Sequence, residues 1–257
     1  MNLSNIIEFS CQANADKVCV VHGDARLTYR EVWERSNQLA RALAEMGVEH
    51  GDRVGIFATN GFQYLEMFFA VIKLGAIFVS LNFRLREKET TYVLNDAEAK
   101  VLILSERYVD LLSSIRDDLP SVKEYLVLGQ APADMIEYEA ALSAQSSEAY
   151  PIAPVEPDDC FCILYTSGTT GVPKGAMLTH GNIVNAATQA AEADEGEPPP
   201  PGITLVNVPM YHIAGVMAPM GMVRGGTVVI FSGSIRPYFW KQSRRSGSPL
   251  PTSCQRC

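Results

Sequence analysis

The chain has no long apolar run. Its most hydrophobic stretch, Leu65 to Leu81, is broken by Glu66, Lys73 and Gly75. That is too short and too interrupted to cross a bilayer, and it predicts a helix running into a strand. Residues 1–10 lack the basic start and apolar core of a secretory leader. The expectation is a cytoplasmic protein without an integral membrane segment, with peripheral contact to a membrane left open. A basic surplus is missing too. Lys and Arg number 21 against 29 Asp and Glu, a formal net charge of −8, so there is no electrostatic footprint for nucleic acid. The acidity reads as a solubility property. The 6 cysteines are scattered and do not form a disulfide framework. Cys254 and Cys257 have metal-like or redox-like spacing but no second pair and no nearby histidines. Cys160 and Cys162 flank Phe161 in an apolar run that suits buried strand positions. No internal repeat is visible.

What is present is ordinary globular composition, 47% hydrophobic and 19% charged. Thr28 predicts the N-cap of a helix over Tyr29–Met46, with Glu31 as capping-box partner and Gly47 as terminator. Strands are predicted at 53–58, 76–81, 100–104 and 124–128, with helices at 62–73, 86–94 and 108–115 between them. This alternation points to an α/β fold with layered, mostly parallel sheets flanked by helices. Residues 129–158 read as a connecting segment with a short helix near Ile136–Leu142. Further on come a strand at 159–165, a short strand at 176–178 and a helix at 182–193. An exposed proline-rich loop at 192–202 leads to a strand at 203–208, a helix at 213–223 and a strand at 227–231.

The most informative stretch is Thr166-Ser167-Gly168-Thr169-Thr170-Gly171-Val172-Pro173-Lys174-Gly175. Its glycines let the backbone approach an anion closely. Its hydroxyls donate to phosphate oxygens, and Lys174 adds a positive charge. The Walker pattern fails, because Lys174 precedes Gly175 rather than Ser or Thr. The chemistry is nevertheless that of a loop holding a polyphosphate, delivered by the strand before it as open α/β sheets deliver their ligand loops.

This stretch resembles the signature of the AMP-forming adenylate family, which includes acyl-CoA synthetases, aryl-acid CoA ligases, luciferases and peptide-synthetase adenylation domains. A second element agrees. Pro209-Met210-Tyr211-His212-Ile213-Ala214-Gly215 is similar to the family segment that lines the acyl pocket. Leu27-Thr28-Tyr29-Arg30-Glu31-Val32, Gly51-Asp52-Arg53-Val54 and Asn82-Phe83-Arg84-Leu85 are smaller echoes, the last leaning toward CoA ligases. The match runs from about residue 3 to about residue 231.

The resemblance implies the incomplete N-terminal domain of the acyl-CoA synthetase-like fold over residues 1–231. It implies activation of a carboxylic, most simply fatty, acid by ATP through an acyl-adenylate, followed by transfer to CoA. Cofactor and co-substrate would be ATP, Mg²⁺ and CoA. Thr166, Ser167, Gly168, Thr169, Thr170, Gly171 and Lys174 would hold the phosphates, with Thr166 also near Mg²⁺. Catalysis would rest on Lys174, His212 and Thr166, and Tyr211, His212 and Gly215 would line the acid pocket. A carrier protein as acceptor, and a non-catalytic nucleotide-binding remnant, are the alternatives. The later family elements for adenine and ribose, and the small C-terminal domain with its lysine, have no counterpart here. Residues 232–257 form an atypical tail, read either as a frameshift near 234–243 or as an authentic disordered end. An uncovered sheet edge is expected to make the chain poorly soluble, and the chain alone is expected to make no acyl-CoA.

Overall fold

The computed structural model describes residues 3–166, 172–192 and 201–231. The chain opens with helix α1 (Leu3–Ala13) and the hairpin β1 (Val18–His22) and β2 (Ala25–Thr28). Helix α2 (Tyr29–Glu45) begins where the sequence predicts. Thr28 Oγ1 accepts from the Glu31 N–H and the Glu31 carboxylate accepts from the Thr28 N–H, which closes the capping box. Gly47, at φ +82°, stops the helix in the left-handed region.

The expected alternation follows in β3 (Arg53–Phe57), α3 (Gln63–Lys73), β4 (Ile77–Ser80), α4 (Glu87–Asp96), β5 (Val101–Ser105), α5 (Val109–Ile115) and β6 (Glu124–Leu128). The remaining elements are β7 (Ile136–Glu137), α6 (Tyr138–Ser143), β8 (Cys160–Thr166), β9 (Lys174–Thr179), α7 (His180–Glu192), β10 (Ile203–Val206), α8 (Ile213–Met217) and β11 (Thr227–Ile230).

Four expectations are corrected. Ile136 belongs to a short strand beside β6, so helix α6 begins only at Tyr138. The short strand at 176–178 is longer and starts at Lys174, because each of its residues finds a partner on β8. The helix at 213–223 is α-helical only to Met217 and continues as a 3₁₀ turn to Met222. Pro219 has no N–H to offer the carbonyl one turn back, so the α-helix cannot continue through it. Cys160 is only half-buried, since the register shifts between Cys160 and Cys162 and breaks the alternation. The proline-rich loop falls largely outside the described residues, as do Cys254 and Cys257.

Two sheets form. The larger has seven strands in the order β7-β6-β5-β3-β4-β8-β9, all parallel except the final antiparallel pair β8 and β9. The smaller has the order β10-β11-β1-β2. Alternation along the strands separates two cores. Val54, Ile56, Val101, Ile103 and Phe78 face a layer built from α1–α3 and the smaller sheet. Phe57, Leu102, Leu104 and Val79 face α4 and α5 on the other side.

Helix α3 is buried from Tyr64 to Lys73, including its two charged residues. Glu66 is held by Arg35 Nε at 2.6 Å and by the Tyr138 hydroxyl at 2.8 Å, and Arg35 reaches on to Glu139 at 2.7 Å. Lys73 Nζ donates to Ser36 Oγ and Asn37 Oδ1, both at 2.5 Å, and lies 3.3 Å from the Trp33 ring centroid. Burial pulls its ammonium well below the ordinary lysine range.

Candidate active site

The phosphate-loop motif sits on the β8–β9 hairpin. Thr166 is the last residue of β8 and Lys174 the first of β9, and the two are cross-strand partners. Both are exposed. Ser167, Gly168, Thr169, Thr170 and Gly171 lie outside the described residues. The hairpin therefore brings a hydroxyl and an ammonium to the two feet of the turn, at the carboxyl end of a strand in the larger sheet.

The base of the hairpin is fixed by Tyr165. Its hydroxyl donates to Asp96 Oδ2 at the end of α4, at 2.6 Å. Burial first, and then the Asp96 carboxylate, push the phenol upward, so it stays a donor. The ring passes over Gly175, where an added Cβ would lie 2.8 Å from Ile163 Cγ2 and 3.1 Å from Tyr165 Cζ. Only a residue without a side chain leaves that space.

The second motif lies beside the same rim. Tyr211 is buried and packs edge-on against Phe83, with ring centroids 5.1 Å apart. Phe83 follows β4, and β4 pairs in parallel with β8 through Ser80 and Leu164. The loops after β4 and β8 thus leave the same edge of the sheet, and Phe83 links that edge to the Tyr211 segment. His212 is exposed, its ring centroid 4.7 Å from that of Tyr211. It occupies the N-cap of α8 in extended conformation but makes no side-chain capping bond, so capping does not account for it.

Gly215 is buried directly against the backbone of Met210. A Cβ there would come within 2.1 Å of the Met210 carbonyl oxygen. The apolar crevice behind it is lined by Tyr64, Phe68, Phe78, Met210 and Val216.

Two groups have no place in the motif reading. Asn60, in the turn after β3, bonds to Val208, Met210 and Phe231. Asp96 anchors the hairpin. Neither carries a local signal, because each acts on a segment far along the chain.

Among the described residues, no group of three or more His, Cys, Asp or Glu could hold a metal ion. Among the described residues, the feet of the hairpin turn carry one hydroxyl and one ammonium, which suits a polyphosphate. They offer a magnesium ion a single Thr166 oxygen, so most ligands would come from the phosphates themselves.

The model for AMP-binding enzymes matches residues 7–246. The chain belongs to the AMP-binding enzyme family. The matched span runs past the 231 expected from the motifs, into the tail. Among relatives, a long-chain-fatty-acid–CoA ligase of Thermus thermophilus is 35% identical over 209 residues, covering 81% of this chain and 38% of that protein. A feruloyl-CoA synthase of Amycolatopsis sp is 35% identical over 216 residues, covering 83% of this chain and 40% of that protein. Among solved structures, the anthranilate CoA ligase AuaEII in complex with anthranoyl-AMP superposes with a TM-score of 0.86 at 27% identity. It covers 95% of this chain and 48% of that one. The fold is that of the N-terminal domain of acyl-CoA ligases, and the chain spans less than half the length of these relatives.

Proposed function

We propose that this chain carries the phosphate-gripping and acid-positioning part of an AMP-forming acid–CoA ligase. The carboxylate attacks the α-phosphorus of ATP, the bond to the β-phosphate oxygen breaks, and acyl-AMP and pyrophosphate result. The CoA thiol then adds to the acyl carbonyl, loses its proton, and expels AMP. Names of relatives that refer to long-chain fatty acids favour an aliphatic acid, and CoA as acceptor.

The observation that carries this reading is the shared rim. The Thr166–Lys174 hairpin and the exposed His212 imidazole are joined through Phe83 at one edge of the larger sheet. The first step brings one anion against another, so positive charge and donors that face the phosphates lower its barrier. Lys174 supplies a mobile charge beside the β- and γ-phosphates, and Thr166 a hydroxyl. By their residue types, Ser167, Thr169 and Thr170 would add donors, and the glycines at 168 and 171 would let the backbone approach the phosphates. Thr166 Oγ1 would hold a magnesium ion brought in with ATP, and that ion would supply further charge neutralisation. His212 orients the carboxylate toward the α-phosphate, with Tyr211 as the wall and Gly215 packed against the Met210 carbonyl behind it.

Titration calorimetry with ATP–Mg²⁺ tests the loop. We expect binding by the wild-type chain, and binding about tenfold weaker in Lys174→Ala, the loss of one charge-assisted contact. Equal affinity in the two proteins would remove the loop from the site. The absence of any binding by wild type would favour the inert-remnant alternative.

A further inference from the structure

The turn Thr59-Asn60-Gly61 leaves the carboxyl end of β3. The Asn60 side chain is half-buried and makes three main-chain hydrogen bonds. Nδ2 donates to the Val208 carbonyl at 2.8 Å and to the Phe231 carbonyl at 3.2 Å. Oδ1 accepts from the Met210 N–H at 2.8 Å. Val208 and Met210 flank Pro209, which has no N–H of its own. The amide therefore pairs with the backbone on both sides of the proline, as a neighbouring strand would. It sets the direction in which the chain leaves that turn.

The third bond ties the same amide to the residue after β11. Asn60 is thus where the larger sheet, the smaller sheet and the His212 segment meet. Gly215 supports Met210 from the other side, its Cα packed against the carbonyl. Met210 is gripped at its N–H and at its C=O, and His212 follows two residues later. The job needs a donor and an acceptor on one short planar group, which is the asparagine amide. Aspartate at this position has no donor and would face two carbonyl oxygens with negative charge.

The geometry points to Asn60 as a positioning residue for His212. It fixes the backbone from which the imidazole projects, and so the aim of that imidazole at an acid on the rim. The inference rests on the proposed role of His212 in placing the acid. Asn60 touches no substrate. Its loss frees the Pro209 turn to swivel while β3 stays in the sheet.

The test is NMR on the 257-residue chain and its Asn60→Ala and Asn60→Asp variants. Three signals are followed: amide exchange at Met210 and Ile56, the His212 ring during octanoate titration, and the Lys174 amide during ATP–Mg²⁺ titration. We expect Met210 exchange about tenfold faster in Asn60→Ala, which loses the acceptor for that N–H, and a smaller change in Asn60→Asp, which keeps an acceptor but loses both donor bonds to Val208 and Phe231. Ile56 should be unchanged. The octanoate response of His212 should weaken at least about tenfold, with the Lys174 response intact. Met210 exchange at the wild-type rate in Asn60→Ala, or octanoate affinity equal to wild type, overturns the positioning role. So does equal loss of protection at Ile56, which would make Asn60 a general stabiliser. A wild-type His212 that octanoate leaves unmoved overturns the acid-site reading instead, and Met210 exchange then decides alone whether Asn60 holds the segment.

Discussion

The interior behind the larger sheet and the rim at its carboxyl edge handle polar groups in opposite ways. Inside, α3 carries a glutamate and a lysine that are fully covered, each enclosed by several partners. At the rim, Thr166, Lys174 and His212 stand exposed, and what is buried is the scaffold that aims them: Tyr211, Gly215 and Met210. Interior charges are locked because an unpaired charge there is costly. Rim groups are open to solvent, as the proposed contacts with a ligand require. The difference teaches where sensitivity should lie. Stability should depend on the partners of α3, and binding on the backbone supports of the rim.

The harshest way to break the interior is to strip Glu66 of its cation. Arg35→Met leaves a covered carboxylate facing only the Tyr138 hydroxyl, and we expect a loss of about 3–5 kcal/mol in urea unfolding. A loss below about 1 kcal/mol would mean that water reaches Glu66 and that the interior is less sealed than described. The rim should break next at Gly215. Gly215→Ala forces a methyl group into the Met210 carbonyl, costing about 1–3 kcal/mol, with spectral changes concentrated at residues 208–217. Changes spread evenly over both cores would deny that the rim scaffold is a separate unit.

A gentler probe is pH. His180 is buried against Phe161, with no hydrogen-bond partner for either ring nitrogen, and burial lowers it from its ordinary 6.5. The unfolded chain takes up a proton below that value more readily than the folded one. Stability is therefore fully present above pH 6.5 and falls as pH drops through the lowered folded value. His180→Phe should flatten that acid slope in unfolding curves taken from pH 7.5 to 5. An unchanged slope would place the acid sensitivity elsewhere. The smallest effect belongs to Tyr165→Phe, which removes one partly exposed hydrogen bond worth about 0.5–1 kcal/mol. Its footprint should be local, as faster amide exchange in β9 with β3 unaffected.

Much of the larger sheet was legible because its strands are short, apolar and regularly spaced between helices with clear periodicity. The capping box at Thr28 and Glu31 and the stop at Gly47 placed α2 to within a residue. The opening α1 and the β1–β2 hairpin had no such marks. β2 is only four residues long with no fully buried residue, and its pairing depends on β1, which in turn pairs with β11 some two hundred residues later. The chemistry-bearing residues were visible through motif resemblance. Their supports were not. Asn60 and Asp96 act through main-chain and hydroxyl partners that only the fold brings near, and a single asparagine in a turn looks like any other. Among the described residues, Ile203 and Leu205 are 70% and 56% accessible on β10, the outer strand of the smaller sheet.

Position 175 has one more consequence. Because nothing projects from it, the tyrosine ring beside it can lie flat and reach across to α4. A methyl group there would tip the ring, cost the contact with Asp96 and strain the pairing of β8 with β9. Under the proposed function, a change at a residue that offers no group to the ligand would then disturb its neighbour Lys174 through the support beneath it.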